Sequence, residues 1–322
     1  MANNEAPTHW QPGDEWVSAY AREHPLVGRI WSVGEQKFVD PEIMVKTLGG
    51  AAFILLGEKH DNADHHQIQA WLSGQVLGSG RKMAVAFEMF GVDKTKVLED
   101  FHETGSKDAA DIAALTEWEN SGWPSWSLYQ PIAQSALDAG MPILAANLSR
   151  QQTKAMMQQG NAVLGERTVK RLRLDETLPE PVAVAKAEEL ISSHCNMLPE
   201  AMVQPMVKTQ TAKDAMMADV MIKAEESNEL EGVILIAGLG HARSDWGVPW
   251  HLARRNPEKS VISVGMLEVD ADFEEPSQYA ANWDVPKLPF DFVWFTPRSD
   301  EDDPCDKYAE QLKKIGKSHK AP

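Results

Sequence analysis

Short, continuous apolar runs that stop at glycine or a polar residue are what most limit the folds open to this chain. Four stand out: Ala51–Leu56 (AAFILL), Met83–Phe87 (MAVAF), Pro142–Ala146 (PILAA) and Gly232–Ala237 (GVILIA). A strand that faces water on one side alternates apolar with polar residues. A strand buried on both faces has no reason to, and reads as an unbroken apolar run. The stretches between these runs carry helical spacing, as in Ile68, Trp71, Leu72 and Val76. Strands alternating with helices predict an α/β protein: a mostly parallel sheet flanked by helices.

The remaining elements follow from weaker signals. Gly28–Val39 reads as a short hairpin, and Pro41–Leu48 as a helix with proline at its first position. A helix starts near Ala63 with Asn62 as its N-cap. Val92–Glu103, Ser127–Ala139 and Val248–Arg255 read as helices, Ser260–Val264 and Phe290–Phe295 as strands. No strand signal occurs between Ser149 and Ser227, which predicts a helical insert at about 149–227 that forms a smaller subdomain. Residues 1–27 read as a lead-in, 28–316 as one domain carrying that insert, and 317–322 as a disordered tail.

Charge excludes some partners. Lys and Arg number 31 against 48 Asp and Glu, a net −17. Such a surface repels nucleic-acid backbones and anionic lipid headgroups. No apolar run reaches the ~18 residues a membrane-spanning helix needs. The opening MANNEAPTHWQPGDEW has no basic segment followed by an apolar one, so it does not read as a signal peptide. That leaves a cytoplasmic chain, or an exported one whose export segment lies outside this sequence. The two cysteines, Cys195 and Cys305, are too few for a four-cysteine zinc site; they allow one long-range disulfide or two unrelated thiols.

Ligands of parallel sheets bind beyond the carboxyl ends of the strands. The residues at those ends are Glu58 and His60, then Glu88, then Asn147, then His241. If the strands are neighbours, two carboxylates and two imidazoles converge. Glu58, His60, Glu88 and His241 are therefore the candidate set for a divalent transition metal of the Zn, Mn or Fe type. In a hydrolase the same set would act on water, with Glu58 or Glu88 as general base. Singly, each residue has a plainer reading: a loop histidine bonded to a carbonyl, a glutamate capping a helix. Two Gly-x-x-His turns after buried strands are harder to explain that way. His65, on the face of Ile68 and Leu72, points toward the same region or packs in the core. Tyr129, beside Trp123 and Trp126, is an aromatic wall, an iron ligand or a packed core residue. The methionines from Met197 to Met221 suggest copper or haem ligands, but their helical spacing favours core packing.

Leu55–Gln69 (LLGEKHDNADHHQIQ), Ala86–Phe90 (AFEMF) and Gly238–Leu252 (GLGHARSDWGVPWHL) resemble the ChaN-like haem-binding uptake family of the Tiki and erythromycin-esterase-like superfamily. So do His24–Trp31 (HPLVGRIW), His194–Pro199 (HCNMLP), Thr209–Ala218 (TQTAKDAMMA) and Asp303-Pro304-Cys305. The resemblance implies a haem-binding protein of iron or haem uptake, not an enzyme. It implies a bacterial lipoprotein of the periplasm or outer membrane, lipid-anchored in its native form. It also implies a homodimer holding stacked haems, with tyrosine on the iron. Tyr129 is the preferred candidate here and His65 a second cofactor contact. The wider superfamily implies the alternative, a metal-dependent esterase or peptidase. In an exported protein, Cys195 and Cys305 are expected to pair.

Overall fold

A computed structural model describes residues 11–227, 229–302 and 304–307. The expected tail at 317–322 and the first ten residues of the lead-in lie outside them. The described residues fall into two compact units. One comprises the stretches up to Asn147 and Met217–Asp300; the other comprises Leu148–Met216 and the described residues from Glu301 on.

The first unit is an eight-stranded sheet. Its strands are β1 (Ile30–Ser32), β2 (Lys37–Val39), β3 (Phe53–Glu58), β4 (Met83–Gly91), β5 (Ile143–Asn147), β6 (Gly232–Gly238), β7 (Val261–Glu268) and β8 (Phe292–Thr296). They lie in the order β2-β1-β8-β7-β3-β6-β4-β5. Every pairing from β8 to β5 is parallel, and only the β1–β2 and β1–β8 pairings are antiparallel. The expected α/β class and the N-terminal hairpin are both present.

The unbroken apolar runs occupy the middle of this sheet because both of its faces are covered. Along β3, Ile54 and Leu56 join one core cluster, and Phe53 and Leu55 the other. The first cluster is shared with α1 (Pro41–Leu48), α2 (Ala63–Gly78) and α5 (Trp126–Asp138). Two shorter helices, α3 (Thr95–Glu103) and α4 (Ala110–Thr116), lie between β4 and α5 in the chain. The second cluster takes in Val248 and Leu252, together with Met217 and Met221 at helical spacing. Met217 and Met221 are thus core, whereas Met197, where the methionine stretch begins, is 38% exposed.

Strand ends differ from the sequence reading by a few residues, and the difference matters. β3 runs on through Glu58, and β4 continues past Glu88 to Gly91, with its register against β5 shifting between Phe87 and Gly91. Both glutamates are therefore strand residues: Glu58 is in register with Gly238 of β6, and Glu88 lies where the pairing of β4 with β5 shifts.

The topology also explains why these strands meet. β6 lies between β3 and β4, although it comes much later in the chain. β7 then pairs on the other side of β3. The chain thus leaves β3 and β6 in different directions, which opens a crevice at their carboxyl ends. A short helix, α10 (Leu239–Ala242), sits directly on β3 there, followed by α11 (Val248–Arg255).

The second unit has no strand among its described residues. It comprises α6 (Arg150–Gln159), α7 (Glu166–Arg171), α8 (Glu180–Ser193), the first part of α9 (Glu200–Glu226) and α12 (Pro304–Lys307). Leu198, Val203 and Val207 form its small apolar cluster. Lys186 and Asp214 pair at 2.8 Å, both buried. Cys195 and Cys305 are joined in a disulfide across 110 residues of sequence. Among the described residues no helix is long and apolar enough to cross a membrane.

One glycine sets the spacing between α10 and the sheet. A Cβ at Gly57 would fall 2.7 Å from the Ala242 Cβ. Gly57→Ala is expected to lower stability by about 1–3 kcal/mol through overpacking, because the helix must lift. Urea denaturation checks this; an unchanged midpoint would mean that α10 rides up at no cost.

Candidate functional site

Alternation along β3 decides where Glu58 points. It shares a face with Ile54 and Leu56, toward α2 and α5, and those helices supply its partners. His60 Nδ1 is 2.8 Å from Glu58 Oε1. The Tyr129 hydroxyl of α5 donates to the same oxygen at 3.0 Å. His66 Nδ1 of α2 is 2.9 Å from Oε2, close enough for strong electrostatic attraction though poorly aligned as a hydrogen bond. His66 Nε2 donates to the carbonyl oxygen of His60 at 3.0 Å. Two imidazoles and a phenol thus converge on one carboxylate that has no solvent contact. The His66 and Tyr129 rings also meet edge to face, 4.3 Å between centroids.

Burial by itself would raise the Glu58 carboxyl. The charge of His66, then the hydrogen bond from His60, outweigh it and bring the group down to about 2. For His60, burial favours the neutral ring, but the hydrogen bond and charge of Glu58 win and raise it above its usual 6.5. Tyr129 is pushed far up, first by burial and then by the charge of Glu58, so it stays a neutral phenol.

A second carboxylate–imidazole pair lies on the neighbouring strands. Glu88 Oε2 accepts the Gly238 N–H at 2.8 Å, and its Oε1 is 3.2 Å from His241 Nε2. Glu88 is buried, and His241 sits on α10 with 13% of its side chain exposed. The two pairs meet at Gly238, where a Cβ would come within 2.9 Å of His60 Nε2. Only glycine lets the imidazole lie this close to β6. His60 itself is 35% exposed, the most open of these side chains. The indole of Trp123 stands edge to face against it at 4.8 Å, and is fixed by its own N–H to the Met89 carbonyl at 3.1 Å.

Glu58, His60, Glu88 and His241 therefore come together as the strand order requires. Among the described residues, however, no three His, Cys, Asp or Glu side chains are arranged to hold a metal ion. Asn147 ends β5 at the sheet edge, beyond β4. Two residues expected at a cofactor have other tasks. His65 is fully buried: its Nδ1 accepts the Lys59 N–H at 2.9 Å, and its Nε2 is 2.9 Å from the Thr296 hydroxyl. With both ring nitrogens engaged, it ties the loop after β3 to β8. Tyr129 is fully buried beneath the pocket and bonded to Glu58, so it presents no open face to a porphyrin. His66, adjacent to His65, is the pocket residue that the helical spacing did not single out. The N-cap by Asn62, which accepts from the N–H groups of Asp64 and His65, fixes the phase of α2. Because residues 64–69 are all buried, apolar periodicity could not separate the two rings.

The three shifted groups have different signs in acid. Glu58 contributes stability above its ordinary 4.5, and that contribution is lost as pH falls toward 2. His65, kept neutral by burial and lowered to about 3, favours the folded state above 6.5, and this is lost as pH falls from 6.5 to 3. The contribution of His60 is complete below 6.5 and lost only as pH rises through its raised value. Between 6.5 and 4.5 the slope thus includes about one proton from His65. His65→Asn is expected to reduce that slope by about 1.4 kcal/mol per pH unit. Urea denaturation at both ends of the window measures it; an unaltered slope means that the ring is not held neutral.

The family model described as haem-binding uptake, Tiki superfamily, ChaN, matches residues 44–252. The fold is similar to that of ChaN of Campylobacter jejuni, solved for its cofacial haem binding. The two are 22% identical, covering 82% of this chain and 95% of that one, with a TM-score of 0.64. An erythromycin esterase, EreC, in its open conformation is 15% identical over 89% of this chain and 87% of its own, with a TM-score of 0.43. The type III effector HopBA1 is 12% identical over 79% and 93%, with a TM-score of 0.37. No curated protein matches the chain.

Proposed function

The chain belongs to the haem-binding uptake family of the Tiki superfamily that includes ChaN, and from this premise we propose that it binds haem as cargo for iron or haem uptake, at the carboxyl edge of the sheet. The observation that carries the reading is the His60 imidazole. It is partly open to solvent, anchored from behind by Glu58, and stands against the indole of Trp123. A bare metal ion needs three or four donors from the protein. A haem iron arrives with four porphyrin nitrogens and asks for one axial donor, so a pocket with few open donors suits it better than it suits a bare ion. The indole adds a flat apolar wall of the kind a porphyrin packs against.

The place of work and the assembly follow as parts of the same proposal. The Cys195–Cys305 bridge favours an oxidising compartment, hence a periplasmic protein or one anchored to the outer membrane by lipid, over the cytoplasm. Cofacial haem binding in ChaN of Campylobacter jejuni makes a pair of haems held by two copies of this chain the stoichiometry to look for.

A metal-dependent hydrolase is the second reading. What favours it is the duplication of carboxylate–imidazole pairs, Glu58 with His60 and Glu88 with His241, around one glycine. Such pairs suit general acid–base work on water. It predicts one tightly held divalent ion per chain and ester or peptide turnover lost in Glu88→Gln.

Absorbance titration with haemin, with metal analysis of the same sample, separates the two. The haem reading expects a Soret band that saturates at a fixed ratio. A sample that shows no such band and holds a stoichiometric transition metal overturns it. Alkylation of natively produced protein without reduction checks the compartment: two modified thiols would remove the argument for export.

A further inference from the structure

The helical unit buries little of itself. α7 buries none of its residues. Of the 14 residues of α8 one is buried, and it is Lys186. Asp214 meets its charge at 2.8 Å, but two charges withdrawn from water give back little net stability. Against the small cluster of Leu198, Val203 and Val207, α8 sets only Ala187, Leu190 and Ile191, each half-buried. Val184 and Met197 remain 49% and 38% exposed. α9 carries Pro205 inside it, which removes a helix hydrogen bond. α12 has four residues, too few for a helix to hold itself. A unit with so thin a core needs a staple.

The Cys195–Cys305 bridge sits where the unit is weakest, between the end of α8 and the short α12. α8 closes with the N–H groups of Cys195 and Asn196 donating to the carbonyls of Ser192 and Ile191, at 2.8 and 2.9 Å. That turn holds Cys195 and Asn196 in succession in left-handed backbone, with φ of 57° and 56°. Asparagine enters that region readily; cysteine stays there only when its surroundings hold it. Both cysteines are half-buried, so the bridge is not sealed in a core. The sheet unit contains neither cysteine and has its own two apolar clusters, with β3 and β6 buried along their whole length. We propose that the bridge is a redox latch: closed, it keeps the helical unit folded; opened, it releases that unit while the sheet unit stays folded. In closing, two S–H bonds break and one S–S bond forms. The two electrons and two protons pass to a disulfide donor, which leaves as a dithiol. Opening is the reverse exchange, with a dithiol reductant that becomes a disulfide. A chain kept in a reducing compartment therefore carries a finished sheet and an open helical unit, and is completed only on meeting a disulfide donor. The latch does not depend on what the pocket binds.

Hydrogen exchange of the full-length oxidised protein, read by mass spectrometry before and after dithiothreitol without denaturant, tests the latch. Alkylation of the same sample counts the thiols set free. The expected result is two alkylated thiols, with amides of α7, α8 and residues 200–216 exchanging about 30–1,000-fold faster and those of β3 and β6 unchanged. Glutathione disulfide should then restore the lost protection. The double variant Cys195→Ser, Cys305→Ser should show the pattern of the reduced wild type whether or not reductant is present, which separates the bridge from any other effect of dithiothreitol. If that variant cannot be produced folded, the reduced wild type, which starts native, still gives the answer. Unchanged protection with both thiols free overturns the proposal, because the helical unit then stands without the bridge. Protection lost in β3 and β6 as well overturns it from the other side, because the bridge then supports the whole chain. A bridge that dithiothreitol leaves closed in the native protein also overturns it, since a latch has to be reachable.

Discussion

A carboxylate withdrawn from water has to be satisfied by the protein, and Glu58 shows how much structure that requires. Its partners come from the loop after β3 and from the first turns of α2 and α5. The loop, α2 and α5 are each oriented by the same buried charge. Removing one partner of such a group leaves the others uncompensated, a loss of about 3–5 kcal/mol in comparable buried pairs. The arrangement is therefore rigid, and His60, its exposed member, inherits that rigidity.

Rigidity is what a recognition site in this position needs. Loops that carry ligands usually gain precision from the scaffold beneath them. Here the loop after β3 is held twice. His65 joins the Lys59 backbone to Thr296 of β8, and Asn62 caps α2 while donating to Glu268. Lys59 completes the network by reaching both oxygens of Glu268, at 2.9 and 3.1 Å. The histidine pair at 65 and 66 thus divides its labour: one ring secures the loop and the other lies against the buried carboxylate.

Much of this was legible in the residues. Unbroken apolar runs announced a sheet covered on both faces, and Pro41 and Asn62 marked helix starts where they occur. Glu58, His60, Glu88 and His241 could be named because parallel strands deliver their ends to one edge. Three things were not legible, for physical reasons. The placement of β6 between β3 and β4 is a long-range pairing with no local trace. The roles of His65 and His66 depend on which way two adjacent rings turn in a fully enclosed helix turn. The burial of Tyr129 depends on how α5 packs on the sheet; of the two tryptophans read beside it as a wall, Trp126 is core and only Trp123 is partly open.

The position of β6 has a consequence for synthesis on the ribosome. β3 and β4 emerge early, but they do not touch each other in the finished sheet; each pairs with β6, as Phe53 and Ala84 both do with Val233. Until that strand is made, two apolar strands have inner edges with nothing to bond to, the kind of surface on which nascent chains aggregate. The same delay leaves Glu88 without the backbone N–H of Gly238, which arrives on β6 itself. Neither the inner sheet edges nor the Glu88 side of the pocket can be completed before β6 has been made.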